Sequence, residues 1–138
     1  MLPEATTHSL RPVPVPDETS APFFEGAARG ELMLQRCSSC GAFMWPVKAR
    51  CVECFSGDVA WAPAGGHAVL YSFAVVHQRY PGFDEPYVVA TVETPEGVRF
   101  NTSIVGADSG VLKIGMPLEV VFESVSEDVV VPKFRPVA

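Results

Sequence analysis

No stretch of about 18 consecutive apolar residues occurs in the 138-residue sequence, so no membrane-spanning helix is expected. The first residues lack a basic stretch followed by an apolar one, the pattern of a secretory leader, and a cytoplasmic setting is expected. Histidine is scarce, at three residues, and ten basic residues face sixteen acidic ones for a net charge of −6. That balance disfavours a nucleic-acid backbone as the main ligand, because such affinity leans on Lys and Arg. Gly-x-Gly-x-x-Gly, Gly-x-x-x-x-Gly-Lys and Gly-x-Ser-x-Gly are all absent, which removes the signatures of dinucleotide sites, phosphate loops and nucleophile elbows. There is also no spare thiol. The four cysteines fall into Cys37-x-x-Cys40 and Cys51-x-x-Cys54, ten residues apart, and none is left to act as a nucleophile.

What is present is organised around those two pairs. Each Cys-x-x-Cys can form a tight turn that aims both sulfurs at one centre. Two such turns give the tetrahedron of thiolates that Zn²⁺ takes in closed structural sites. Iron in a rubredoxin-like site is the minority alternative. Two disulfides are the bland one, and they fit poorly with small Cys-x-x-Cys rings and no sign of export. A closed four-thiolate site leaves no position for water or substrate, so it folds the chain and does no chemistry. Function is then expected in what the metal holds in place.

Residues 1–20, with Pro3, Pro12, Pro14 and Pro16 among polar residues, read as an extended or disordered arm. Residues 21–64 are expected to hold a short helix and a zinc ribbon. Ser20 would be the helix N-cap, Pro22 would sit in the first turn and Gly30 would end the helix. Adjacent Phe23 and Phe24 cannot both face one narrow apolar stripe, so one is expected to meet a ligand, a partner or the ribbon. Strands are expected at Leu32–Arg36, Phe43–Pro46 and Val59–Trp61, with Phe43 and Trp45 covering the metal.

Residues 65–138 then show five strands: 67–77, 87–93, 98–105, 118–123 and a last one over 129–134. The fold class is therefore mainly β: a short helix, a zinc ribbon and a five-stranded barrel of the OB type, with a small open sandwich as the competing architecture. The first long strand has apolar residues on both faces, as expected of a strand that bends through a barrel. The loop 78–86, with Arg79, Tyr80 and Phe83, joins the first two barrel strands and is the best intrinsic recognition surface. His77 could pair with Asp84 or Glu85, but a lone histidine at a strand end is a weak basis for catalysis. Between residues 29 and 50, Arg29, Arg36, Lys48 and Arg50 face Glu31 alone. That local excess of positive charge suits a phosphate-bearing small molecule or an acidic partner; a solvated ribbon surface explains it equally.

Phe23-Phe24-Glu25-Gly26, Gly30-Glu31-Leu32, Arg36-Cys37-x-x-Cys40-Gly41, Pro46, Arg50-Cys51-x-x-Cys54, Gly66, Tyr71-Ser72-Phe73, Pro86-Tyr87, Ile114-Gly115-Met116-Pro117 and Pro132-x-Phe134-Arg135 occur in one order. In this the chain resembles the rubredoxin-like zinc-ribbon plus OB-fold proteins associated with acyl-CoA metabolism. It departs from them in having Trp45-Pro46-Val47-Lys48-Ala49-Arg50 where similar sequences carry Pro-Pro-Arg. It also has Phe55 where a glycine often follows the last cysteine, a change expected to matter little. The resemblance implies an accessory subunit with structural zinc. Its partner would be a thiolase-fold enzyme: a thiolase, an acyltransferase, or a lipid-transfer-protein-type retro-aldolase of steroid side-chain breakdown. Other members accompany MaoC-type hydratases. In such an assembly the partner supplies nucleophile and base while the small subunit helps hold the acyl-CoA. Phe23, Phe24, His77 and the 78–86 loop would meet partner or ligand, and Arg36, Lys48 and Arg50 would line the path of the CoA phosphates. No membrane and no nucleic acid are expected. The competing expectations are a single-stranded nucleic-acid binder and a stand-alone acyl-CoA binder or thioesterase using His77.

Overall fold

The structure, a computed structural model, describes residues 13–45, 48–77 and 86–137. Helix α1 spans Ala21–Ala28 and starts at Ser20, but the Ser20 hydroxyl does not cap it. Pro22 sits at the second helical position and has no N–H to offer an N-cap oxygen. The hydroxyl turns back instead, accepting from the Asp17 N–H (3.1 Å) and donating to Asp17 Oδ1 (3.1 Å). At the other end Gly30 has φ 82°, and the Glu31 N–H closes on the Gly26 carbonyl (2.8 Å), the expected glycine stop.

Three strands follow: β1 (Met33–Cys37), β2 (Phe43–Met44) and β3 (Val59–Pro63), antiparallel in the order β2-β1-β3. β4 (His67–Val76), β5 (Tyr87–Glu93), β6 (Arg99–Ile104), β7 (Pro117–Ser124) and β8 (Val130–Pro136) form a closed barrel in the order β4-β5-β6-β8-β7. Every barrel pairing is antiparallel except β6 with β8, which meet in parallel at Ile104 and Phe134. A short 3₁₀ turn, Ser109–Val111, lies in the β6–β7 connection. This is the five-stranded OB arrangement, a short helix and a zinc-ribbon region ahead of it.

The double-faced pattern of β4 has a local cause. Between Leu70, opposite Val92, and Ser72, opposite Thr91, the register slips by one residue. Ala68 and Leu70 point inward before this bulge, Phe73 and Val75 after it, and Tyr71 and Ser72 are both left exposed.

Ribbon and barrel share one core. Leu32 and Leu34 from the ribbon side are buried with Leu70, Val92, Phe100, Leu118 and Phe134 of the barrel. A run of rings crosses between them: Phe24 edge-on to Phe23 (5.2 Å), Phe23 to Trp45 (4.7 Å), Trp45 to Phe100 (5.8 Å), Phe100 to Phe134 (5.7 Å). This corrects one expectation. Phe43 and Trp45 pack on the barrel core rather than over the cysteines, and Met44 between them, pointing to the opposite face of β2, is the residue buried with Cys37 and Cys51.

Candidate metal centre

Two turns of the same design bring the thiols together. β1 delivers Cys37, whose carbonyl accepts from the Gly41 N–H (2.9 Å) while its own N–H donates to the Ala42 carbonyl (2.8 Å). In the second turn the Cys51 carbonyl accepts from the Phe55 N–H (3.0 Å), and the Cys51 N–H donates to the Ser56 carbonyl (2.9 Å). The residue after the second cysteine of each pair must turn left-handed. Gly41 does so at φ 79°, and Phe55 at φ 62° is the only non-glycine with positive φ among the described residues. Outside glycine that conformation costs about 1–2 kcal/mol. The Phe55 ring is 75% exposed, so no burial offsets the strain. The departure from glycine therefore has a cost, contrary to the expectation that it matters little.

The four sulfurs lie within 4.8 Å of one another, with Cys37 to Cys54 at 3.6 Å and Cys40 to Cys51 at 3.5 Å. A tetrahedron with Zn–S of about 2.3 Å has edges of about 3.8 Å, so the donor set fits zinc. Cys37 and Cys51 are buried; Cys40 and Cys54 reach the surface. Crowding divides their acidities. The Cys40 N–H on its sulfur, acting against burial and helped by the Ser39 N–H, brings the Cys37 thiol down to about 6. The Ala42 N–H lowers Cys40, but the Cys51 thiol and burial outweigh it and push Cys40 up to about 12. Cys54 is also raised, because the Cys37 thiol and burial together outweigh the Ser56 N–H. Four thiols in so small a volume cannot all ionise without a cation among them.

The basic residues of this segment are built into the knuckles. Arg36, one residue before Cys37, donates from Nε to the Gly41 carbonyl (3.3 Å) and lies over the Phe43 ring (5.2 Å). Arg50, one residue before Cys51, donates from Nη1 to the Phe55 carbonyl (3.1 Å). Each arginine thus ties the last carbonyl of its own knuckle. Both remain exposed, and Arg36 borders a groove of about 300 Å³ shared with Ser38, Gly41, Ala60 and Ala62. Lys48 is exposed, its backbone clamped by the buried Gln35: the Lys48 N–H donates to Gln35 Oε1 (2.6 Å), and Gln35 Nε2 donates to the Lys48 carbonyl (3.0 Å). Gln35 and Met44 were not singled out in the sequence. An amide between Leu34 and Arg36 gives no sign in the sequence of being buried, although the repeated Arg-Cys-x-x-Cys could have marked the two arginines as equivalent.

The other expected residues fall in three places. Phe23 is half-buried against the core, and Phe24, also half-buried, stands edge-on to it. His77 is exposed just beyond β4. Arg79, Tyr80 and Phe83, with most of the 78–86 loop, lie outside the described residues, as do Pro46, Val47 and residues 1–12. On the barrel, a groove of about 570 Å³ on β4, β5 and β6 is lined only by uncharged residues, among them Ser72, Ala74, Val89, Thr91 and Asn101.

Comparison with known proteins gives these features a context. Residues 24–60 match the domain family "ChsH2, rubredoxin-like zinc ribbon domain", and residues 61–123 match "ChsH2, C-terminal OB-fold domain". The chain is 36% identical, over 96% of its length, to a "Probable enoyl-CoA hydratase alpha subunit" of Thermomonospora curvata, and spans 42% of that protein. It is 32% identical to a "DUF35 domain-containing scaffold protein" of Methanocaldococcus jannaschii, over 67% of this chain and 68% of that one. It is 26% identical to "Benzoylsuccinyl-CoA thiolase subunit BbsA" of Geobacter metallireducens, over 67% of this chain and 57% of that one. Among solved structures, a chain of "Ltp2-ChsH2(DUF35) aldolase" superposes with TM-score 0.83 at 35% identity, covering 90% of this chain and 98% of its own.

Proposed function

Because this chain belongs to the ChsH2 family of zinc-ribbon and OB-fold proteins, we propose that it is a non-catalytic accessory subunit of an acyl-CoA-processing complex, paired with a thiolase-fold enzyme. The observation that carries this reading is the overlap, over nearly the whole of both chains, with a component of an aldolase assembly. The relatives named as a thiolase subunit and as a scaffold protein support the same class of role. A retro-aldolase partner is favoured over a thiolase or acyltransferase by that structural match.

In this reading the chain's own residues hold and orient. The four cysteines would bind Zn²⁺, which supplies structural cross-linking of the ribbon. Arg36, Lys48 and Arg50 would offer their outward N–H groups to the CoA phosphates, Arg36 from the groove it borders. Phe24, His77 and the loop carrying Arg79, Tyr80 and Phe83 would face the partner or the ligand. Nucleophile and base would come from the partner. Single-stranded nucleic-acid binding is disfavoured by the barrel's charges: Arg99 pairs with Glu93 (2.6 Å), Lys133 with Glu123 (3.0 Å) and Arg135 with Glu119 (2.8 Å).

The test is co-purification of the tagged chain from its own source, with the partner identified by mass spectrometry. A near-stoichiometric thiolase-fold chain is expected. A clean preparation without one would move the reading to stand-alone ligand binding.

A further inference from the structure

Gln35 is a buried amide, 6% exposed, on the central ribbon strand β1 and on the face it shares with Cys37. Its side chain takes both backbone groups of Lys48, accepting from the N–H at 2.6 Å and donating to the carbonyl at 3.0 Å. Among the described residues, no other hydrogen bond reaches the backbone of residues 48–50. Lys48 is exposed, so water could satisfy the same two groups. Burying an amide costs free energy unless it is fully paired, and an apolar side chain at position 35 would avoid that cost. What the amide adds is a fixed place for Lys48 against β1, ahead of the point where Cys51 anchors the chain at the metal centre.

The ammonium held in this way is free. Arg29, Arg99, Lys133 and Arg135 each pair with a carboxylate, whereas no described acid lies within ion-pair distance of Lys48. An unpaired, exposed cation whose backbone is set by a buried two-bond clamp is the arrangement of a binding group with a supporting residue behind it.

We infer that Gln35 is a positioning residue for the ligand: its amide fixes the backbone at Lys48 and so holds the ammonium out toward a phosphate of coenzyme A. The inference rests on the reading that places Lys48 on the CoA phosphates, and adds the residue that sets its position. Gln35 touches no ligand and acts only through Lys48.

The experiment is a double-mutant cycle on the complex with the thiolase-fold subunit that co-purifies with the chain, read as the affinity for coenzyme A by calorimetry. Gln35→Met keeps nearly the same volume and removes both bonds; Gln35→Ala is the second variant, and each is also made in a Lys48→Met background. Lys48→Met should weaken coenzyme A roughly tenfold, as expected for a lost charge-assisted hydrogen bond. Both Gln35 variants should lose a large part of the same factor, with zinc content and assembly unchanged. In the Lys48→Met background neither should weaken binding further, because the two residues act as one unit. Wild-type affinity in both Gln35 variants overturns the inference and leaves the clamp a structural bond. Losses that add in the double variants also overturn it, since Gln35 would then act other than through Lys48. Loss of zinc or of the partner in both Gln35 variants overturns it in favour of a role in folding. If Lys48→Met binds coenzyme A as wild type does, or no complex forms, the underlying reading fails and the inference with it; if only the Gln35 variants bind as wild type does, that reading stands and the positioning role alone fails.

Discussion

Arg36 and Arg50 occupy the same position relative to their cysteine pairs, and each holds the carbonyl four residues beyond its first cysteine. A charge-assisted hydrogen bond of this kind contributes about 1.5–3 kcal/mol. Arg36→Met and Arg50→Met should each speed transfer of zinc to a competing chelator by about tenfold, and lysine should rescue only in part because it lacks the planar fork. Unchanged zinc transfer together with weaker CoA-ester binding in the complex would assign the arginines to the ligand rim alone. Gln35 is a second test at this scale. Gln35→Ala removes both bonds to the Lys48 backbone and should cost about 1–3 kcal/mol in denaturant unfolding, without removing a metal ligand. The metal ligands were legible from spacing because the chemistry requires four sulfurs at one centre. The partners of Arg36, Arg50 and Gln35 were not, because each is fixed by how a knuckle folds back on itself.

Among the elements, the helix stood out through its early proline and its glycine stop, although the Ser20 cap is not formed, and the barrel strands stood out through turns and alternation. β5 runs over the expected residues, and the others differ by one or two at their ends. The bulge in β4 was read as a continuous two-faced strand, since one inserted residue changes which side chains face inward without leaving a turn residue in the sequence. β2 was misread for a related reason. With two residues it offers no periodicity, so whether Trp45 faces metal or barrel depended on an alternation too short to see. Its position now makes a prediction. Trp45→Ala breaks the ring contacts between Phe23 and Phe100 and should lower stability by about 3 kcal/mol, the low end for such truncations because the ring is only half-buried. If Trp45 shielded the metal instead, that variant would lose zinc before it lost stability.

For the molecule as a whole, the shared core couples the metal to the barrel. Leu32 and Leu34 pack with barrel residues, so stripping zinc should lower the melting temperature of the entire chain rather than loosen the ribbon alone. The same centre sets a pH dependence. Without metal, Cys40 and Cys54 hold their protons more tightly than ordinary thiols, and a divalent ion must displace them. Zinc affinity should therefore rise from pH of about 6 to about 8 and fall on acidification, as read by competition with a chromophoric chelator; a flat profile would mean that no protons are displaced.

The central claim is that this chain completes an enzyme without being one. The most direct measurement is acyl-CoA turnover by the zinc-loaded chain alone, by its thiolase-fold partner alone, and by the two recombined. The account predicts no turnover by the chain and a rate for the recombined pair above that of the partner alone. Turnover of an acyl-CoA by the purified chain, abolished in His77→Ala, would contradict it.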